Sequence, residues 1–300
     1  MIRGAGIRAA LLAATAALLL VPAGSARAAT GISLDVHSSK QVKLLKKVRV
    51  AGKLVGAAPG EVVTVRVAAS GRQLFSETLT PSGNGSFGMP LAVDSCCRYV
   101  VTAESGPHSA SDGFQVKLPK KLGKGKLSRL FNRSLQAQGF HTGTKGKKIT
   151  RGTRLAIKAF RKTNKMSRSY RYSKKIFRKL LTRRGAFKPR YKKGRHVEVD
   201  LSRQVMSLVQ GDKPKHTFHI SSGTSRTPTI RGKYRFHRHE AGYNNKRMYF
   251  TVYFQGGYAI HGFNPVPNHP ASHGCVRNPI PFSRFIYNWV SIGMPIYVYK

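Results

Sequence analysis

The apolar residues of this 300-residue chain change their spacing twice, which restricts the fold to three unlike parts. From Thr30 to about Leu118 they alternate in short runs: Val48 and Val50 with Leu54, Val62 to Val67, Leu74 with Phe75, Phe87, and Tyr99 to Val101. Turn signals at Pro59-Gly60, Gly71 and Ser82-Gly83-Asn84-Gly85 separate the runs. Strand-like alternation between such turns predicts a small Ig-like β-sandwich over 30–118. No polar cluster converges in it, so it reads as a spacer or interaction module.

Over 119–186 the spacing becomes helical. Leu127, Leu130, Phe131 and Leu135 share a face that stops at Gly139. Thr153 is placed to cap a second helix carrying Ala156, Ile157 and Phe160, and Ser173 a third with Ile176, Phe177, Leu180 and Leu181 that ends at Gly185. The stretch 187–195 reads as a basic linker. From residue 196 alternation returns in Val197, Val199 and Leu201, followed by a hairpin partner at Val205 to Leu208. Further strands are predicted at His216 to Ile220, Lys233 to His237, Met248 to Phe254 and Ile296 to Tyr299. One helix starts at Pro281, with Phe282, Phe285, Ile286, Trp289 and Val290 on a face and Gly293 at its end. The prediction over 196–300 is a mainly-β domain with one packed helix.

Charge divides the chain in the same way. No Asp or Glu lies between Gly113 and Val197, whereas 29 of the 54 Lys and Arg lie between Lys117 and Arg195, and the net charge is +44. Nucleic acid is the obvious partner for such a surface. The first residues argue otherwise: Arg3 and Arg8 precede an apolar run from Ala9 to Pro22 and a small-residue site at Ala26-Arg27-Ala28. Residues 1–28 therefore read as a secretory signal peptide, its apolar run too short for the roughly 20 residues of a membrane span. An exported cationic chain meets phosphate- and carboxylate-rich wall polymers, which attract it through counterion release. The expected location is the cell wall, with no nucleic acid as working partner and no stable transmembrane span.

The chemistry concentrates between Ile260 and Arg277, IHGFNPVPNHPASHGCVR. A free thiol is only about 3% thiolate at neutral pH, and a neighbouring imidazole is the usual activator. His261 and His273 are the two candidates near Cys275, His261 at the end of the strand-like run Tyr258-Ala259-Ile260. Gly262 and Gly274 remove Cβ bulk, leaving backbone amides free to hold an oxyanion. Arg277 supplies a fixed cation suited to a carboxylate. Of the other cysteines, Cys96 and Cys97 are adjacent, and adjacent strand residues face opposite ways, so they are not expected to share a pocket. If they do bond to each other, Cys275 is the odd thiol. His216 with His219, and His237 with His239 and Glu240, raise a zinc hydrolase as a rival, but no HExxH or comparable ligand spacing accompanies them.

The string HG, a proline-rich spacer and SHGCVR resembles the signature of the L,D-transpeptidase catalytic domain, which remodels bacterial peptidoglycan. The resemblance extends through Ser221-Ser222-Gly223, Thr227-Pro228-Thr229, Gly256-Gly257-Tyr258-Ala259 and Gly293-Met294-Pro295, covering about His196 to Lys300. It implies Cys275 as acyl-accepting nucleophile and His261 as general base, oriented through the Gly262 carbonyl. It further implies Ser272, His273 and Gly274 as the loop shaping the oxyanion hole, and Arg277 and Tyr258 as substrate contacts. The implied substrates are peptidoglycan stem peptides, with no metal or cofactor. Thirteen residues separate His261 from Cys275, a short version of the family's lid. The helical segment more loosely resembles a three-helix peptidoglycan-binding domain. A carboxypeptidase that hydrolyses the same thioester, and a wall-binding protein with an idle loop, are the alternatives.

Overall fold

Alternating apolar residues place eight strands in two packed sheets at the start of a computed structural model, which describes residues 31–36, 40–144 and 146–300. The strands are β1 (Gly31–Asp35), β2 (Gln41–Lys43), β3 (Lys47–Val55), β4 (Val63–Ala69), β5 (Arg72–Leu79), β6 (Ser86–Ala92), β7 (Arg98–Ser105) and β8 (His108–Lys117). One sheet runs β1-β3-β6, the other β2-β8-β7-β4-β5. Val50, Val65, Val67, Tyr99 and Val101 are fully buried between them. The proposed signal peptide, 1–28, lies outside the described residues.

Cys96 and Cys97 depart from the sequence reading, being joined by a disulfide. The alternation argument fails because the pair lies in the connection between β6 and β7, not in a strand. Cys275 is the free thiol.

Helices α1 (Lys126–Ala137), α2 (Arg151–Thr163) and α3 (Lys174–Leu181) follow, joined at Phe131 and Phe177 edge to face, 5.2 Å between centroids. Ser173 caps α3 by accepting the Ile176 amide. The cap of α2 is Thr150 rather than Thr153. The two threonines form a reciprocal capping box, with Thr153 in the third helical position. Phe131, Phe160 and Phe177 share one apolar cluster with the core between the first two sheets, whereas Leu155 of α2 turns into the core of the following domain.

That domain holds two sheets. Strands β9 (Arg195–Asp200), β10 (Val205–Gln210), β11 (Lys213–His219), β12 (Gly232–Arg235) and β17 (Pro295–Tyr299) form the first, ordered β11-β10-β9-β17-β12. Strands β13 (Arg238–Tyr243), β14 (Tyr249–Gln255), β15 (Tyr258–Phe263) and β16 (Val276–Pro279) form the second in chain order. Helix α4 (Ile280–Trp289) packs on β14, β15 and β16, with Phe282 and Ile286 buried. It ends four residues before Gly293, which sits in the turn into β17 with φ +81°. The segment 187–195 is tied down: the amides of Arg190 and Tyr191 donate to the buried Glu198 carboxylate at 3.0 and 2.9 Å.

Strand β16 pairs with β15 in parallel, Ile260 beside Val276 and His261 beside Arg277. Parallel neighbours need a crossover connection. Here residues 264–275 make it, and they end on the thiol.

Candidate active site

Because side chains alternate along a strand and β15 and β16 run in parallel register, His261 and Arg277 lie side by side, with Cys275 two residues before Arg277. Cys275, His261, Arg277, Ser272 and His273 all line one cleft of about 790 Å³. Sequence distance becomes proximity through sheet pairing.

His261 is 3% exposed, and its Nδ1 lies 3.0 Å from the Gly262 carbonyl oxygen. With Nδ1 donating that bond, Nε2 remains the basic nitrogen. Burial pushes the imidazole down to about 4, with the Arg277 cation adding to the shift and the Gly262 carbonyl opposing it. Burial likewise pushes the Cys275 thiol up, against the backbone at Ala259 and the charges of Arg277 and Lys246. The thiol donates to the Gly257 carbonyl at 3.5 Å. Both shifts favour the uncharged forms, a thiol at Cys275 and an imidazole at His261.

The loop before Cys275 is fixed by hydroxyls. Ser272 is buried; its Oγ accepts from the Gly274 amide at 3.2 Å and donates to the Cys275 carbonyl at 2.5 Å. Thr229 Oγ1 donates to the Gly274 carbonyl at 2.6 Å while accepting from the Gly223 amide at 2.8 Å. Ser221 pairs with Arg277 through both backbone groups, and its hydroxyl donates to the His269 carbonyl at 2.7 Å. Gly274 adopts φ +115°, and a Cβ there would stand 2.8 Å from the Tyr258 ring. Ser221, Gly223 and Thr229 sit 46 to 54 residues before Cys275, so only the Ser221 to Thr229 resemblance marked them.

The remaining candidates fall in different places. His273 is exposed at the cleft edge. Gly262 is buried against α4, where a Cβ would collide with the Ser283 hydroxyl. Tyr258 lies beneath Gly274 and does not line the cleft. The Arg277 guanidinium stacks on Phe263 at 4.0 Å and donates to the Ala271 carbonyl at 3.0 Å.

The facing wall was not foreseen. It comes from β13, β14 and their connection, and brings Arg238, Glu240, Asn244, Lys246 and Tyr253 to the cleft. The Glu240 carboxylate accepts from Tyr253 Oη at 2.7 Å and Asn244 Nδ2 at 2.8 Å. Those two bonds hold its carboxyl below the ordinary range. His216 lies elsewhere, 3.2 Å from His141 of the helical part.

Residues 194–298 match the family model described as YkuD, the L,D-transpeptidase catalytic domain. No curated protein matches the sequence. The crystal structure of the L,D-transpeptidase from Xylanimonas cellulosilytica is 25% identical, covering 60% of this chain and 97% of that one, with a TM-score of 0.55. An L,D-transpeptidase from Stackebrandtia nassauensis is 20% identical over 61% of this chain and 95% of its own, TM-score 0.38. One from Mycobacterium smegmatis is 11% identical over 90% and 100%, TM-score 0.33.

Proposed function

We infer that this chain, whose residues 194–298 are a domain of the L,D-transpeptidase catalytic family, is an exported peptidoglycan cross-linking enzyme with Cys275 as nucleophile and His261 as base. The observation that carries the reading is the parallel β15–β16 pair, which puts Cys275, His261 and Arg277 together in one cleft.

In the first half-reaction Cys275 Sγ attacks the carbonyl of the L,D bond in a donor tetrapeptide stem. Its proton passes to His261 Nε2, and the oxyanion forms beside the loop 272–274. As the tetrahedral adduct collapses, the C–N bond breaks, the imidazolium returns its proton to the leaving D-alanine nitrogen, and a thioester remains. A side-chain amine of an acceptor stem then attacks the thioester; His261 takes the amine proton and the cysteine leaves as the thiol. Arg277 suits the donor's carboxylate. Glu240, held by Tyr253 and Asn244 on the facing wall, suits the acceptor amine as a hydrogen-bond acceptor. The basic helical part would keep the enzyme on its anionic polymer and so raise local substrate concentration.

The test is incubation with disaccharide-tetrapeptide, read by mass spectrometry beside Cys275→Ala. Cross-linked dimer and free D-alanine from the wild type alone are expected. Tripeptide and D-alanine without dimer would move the assignment to a carboxypeptidase, and no product would remove the enzymatic reading.

A further inference from the structure

A second cleft, of about 870 Å³, shares Phe263 with the catalytic one. The crossover loop supplies one wall through Phe263, Asn264, Pro265 and Val266; α2 and residues 169–172 of the helical part supply the other. Arg168 and Asn268 hold the two walls together: Asn268 Nδ2 donates to the Arg168 carbonyl at 3.0 Å, and the Arg168 guanidinium donates back to the Asn268 carbonyl.

Three features of this cleft call for a ligand. Lys120, Lys121, Arg151, Arg154 and Arg171 line it, all exposed, with no carboxylate in the lining and no ion pair to any of them among the described residues. His219 lines it at 1% exposure, and neither ring nitrogen has a hydrogen-bond partner. An unpaired buried imidazole keeps its full desolvation penalty, which a hydrogen-bonding ligand would relieve. Between the cations the surface is apolar, made by Leu122, Ile149, Pro265 and Val266, and Tyr170 stands edge to face with His219, 6.5 Å between centroids, with the Lys158 amine over its ring.

We propose that this interdomain cleft is a second binding site, taking a carboxylate-bearing glycopeptide segment of the polymer whose stem enters the catalytic cleft. The choice of polymer rests on the function proposed above; the site itself does not. Fixed cations with an apolar floor suit a ligand that carries carboxylates together with methyl and acetyl groups. A bare phosphodiester chain would leave that floor covered by nothing apolar. The occupant would bear on residues 263–266, and through Phe263 on the Arg277 guanidinium stacked against it.

The experiment follows the His219 ring signals of the full chain by NMR while disaccharide-tripeptide is added, and separately a glycerol-phosphate hexamer. The tripeptide has no terminal D-alanine to release, so binding is read without turnover, and failure of the proposed reaction would leave this result untouched. The muropeptide should shift His219 saturably. Arg151→Ser/Arg154→Ser and Tyr170→Ala should each weaken it about fivefold to tenfold, whereas the charge-matched Lys47→Ser/Arg49→Ser on β3 should not. An unmoved His219 at saturating muropeptide would overturn the site. Equal weakening by the β3 variant would reduce it to diffuse attraction, and hexamer binding in place of muropeptide would overturn the carboxylate assignment.

Discussion

Burial pushes the Cys275 thiol up and the His261 imidazole down to about 4, both shifts favouring the uncharged forms before substrate arrives. Attack on the carbonyl must then be accompanied by proton transfer to Nε2. If His261 is the proposed base, it is competent wherever its imidazole is neutral, which is above about pH 4. The acylation rate should therefore fall on the acid side near pH 4, not near the ordinary histidine value of about 6.5. Intact-mass kinetics of thioester formation would measure this, and an acid limb at pH 6 to 7 would contradict the buried neutral pair. Glu240 is the second residue whose role separates from folding. If it receives the acceptor amine, Glu240→Gln should raise the acceptor KM about tenfold while the donor KM stays within about twofold. A matched rise in both would assign Glu240 to general loop support instead.

At the scale of elements, what the sequence made legible was what local chemistry encodes. The strand that carries His261, the helix whose first turn holds Pro281 and the cap at Ser173 each follow from a few neighbouring residues. What stayed hidden was non-local. Strand β16 reads VRNP and has meaning only beside β15, and β13 reads RHEAGY with no clean alternation, so the facing wall with Glu240 was missed. Thr150 and Thr153 bond each other reciprocally, so spacing alone could not say which was the cap. Lys162 was invisible for the same reason. In sequence it is one cation among many, yet it is 2% exposed and its Nζ donates to the carbonyls of Gln204 at 3.2 Å and Ile220 at 2.8 Å, pinning α2 to the catalytic domain. Burial, with Lys158 and Arg168 adding to it, pushes this amine down to about 6. The unfolded chain then binds a proton that the folded chain does not between about pH 6 and the ordinary 10.5, so stability rises with pH across that window. Lys162→Met removes the slope and leaves the Ile220 carbonyl without its donor, at about 1–3 kcal/mol, while the Gln204 carbonyl keeps the Ile220 amide at 3.0 Å. Thermal melts from pH 6 to 10 should show the wild type gaining on the variant, and parallel curves would mean the amine stays charged.

The whole molecule is held together at seams where polar groups are buried between parts. Leu155 of α2 sits in the catalytic core, and Phe140 pairs with Thr217 of β11 through the backbone. Beside that contact His141 meets His216, Nδ1 to Nδ1 at 3.2 Å, inside a ring cluster with Phe218, Phe282 and Phe285. Two nitrogens at this distance share one proton, so at most one of the two rings can be charged while the contact is kept. Burial pushes His141 down to about 4, with His216 contributing, and lowers His216 too, with Lys215 contributing. Below the unfolded value of about 6.5 the unfolded chain takes up protons that the folded one refuses. The seam's contribution is thus complete above pH 6.5 and is lost as pH falls toward 4, about 3 kcal/mol for His141 by the shift. The chain has only ten carboxylates, so their protonation adds less to acid destabilisation than in an ordinary domain. His141→Phe keeps a ring in the cluster and removes the His141 titration, leaving His216 to titrate. Its melting temperature should decline less than the wild type's between pH 6.5 and 4.5, and limited proteolysis at pH 4.5 should cut the wild type faster in the stretch 139–144. Equal declines would show that the rings separate or find water before they charge, and that the helical part is held to the C-terminal domain by its other contacts, among them Leu155, Lys162, the Phe140–Thr217 pairing and the Arg168–Asn268 bonds.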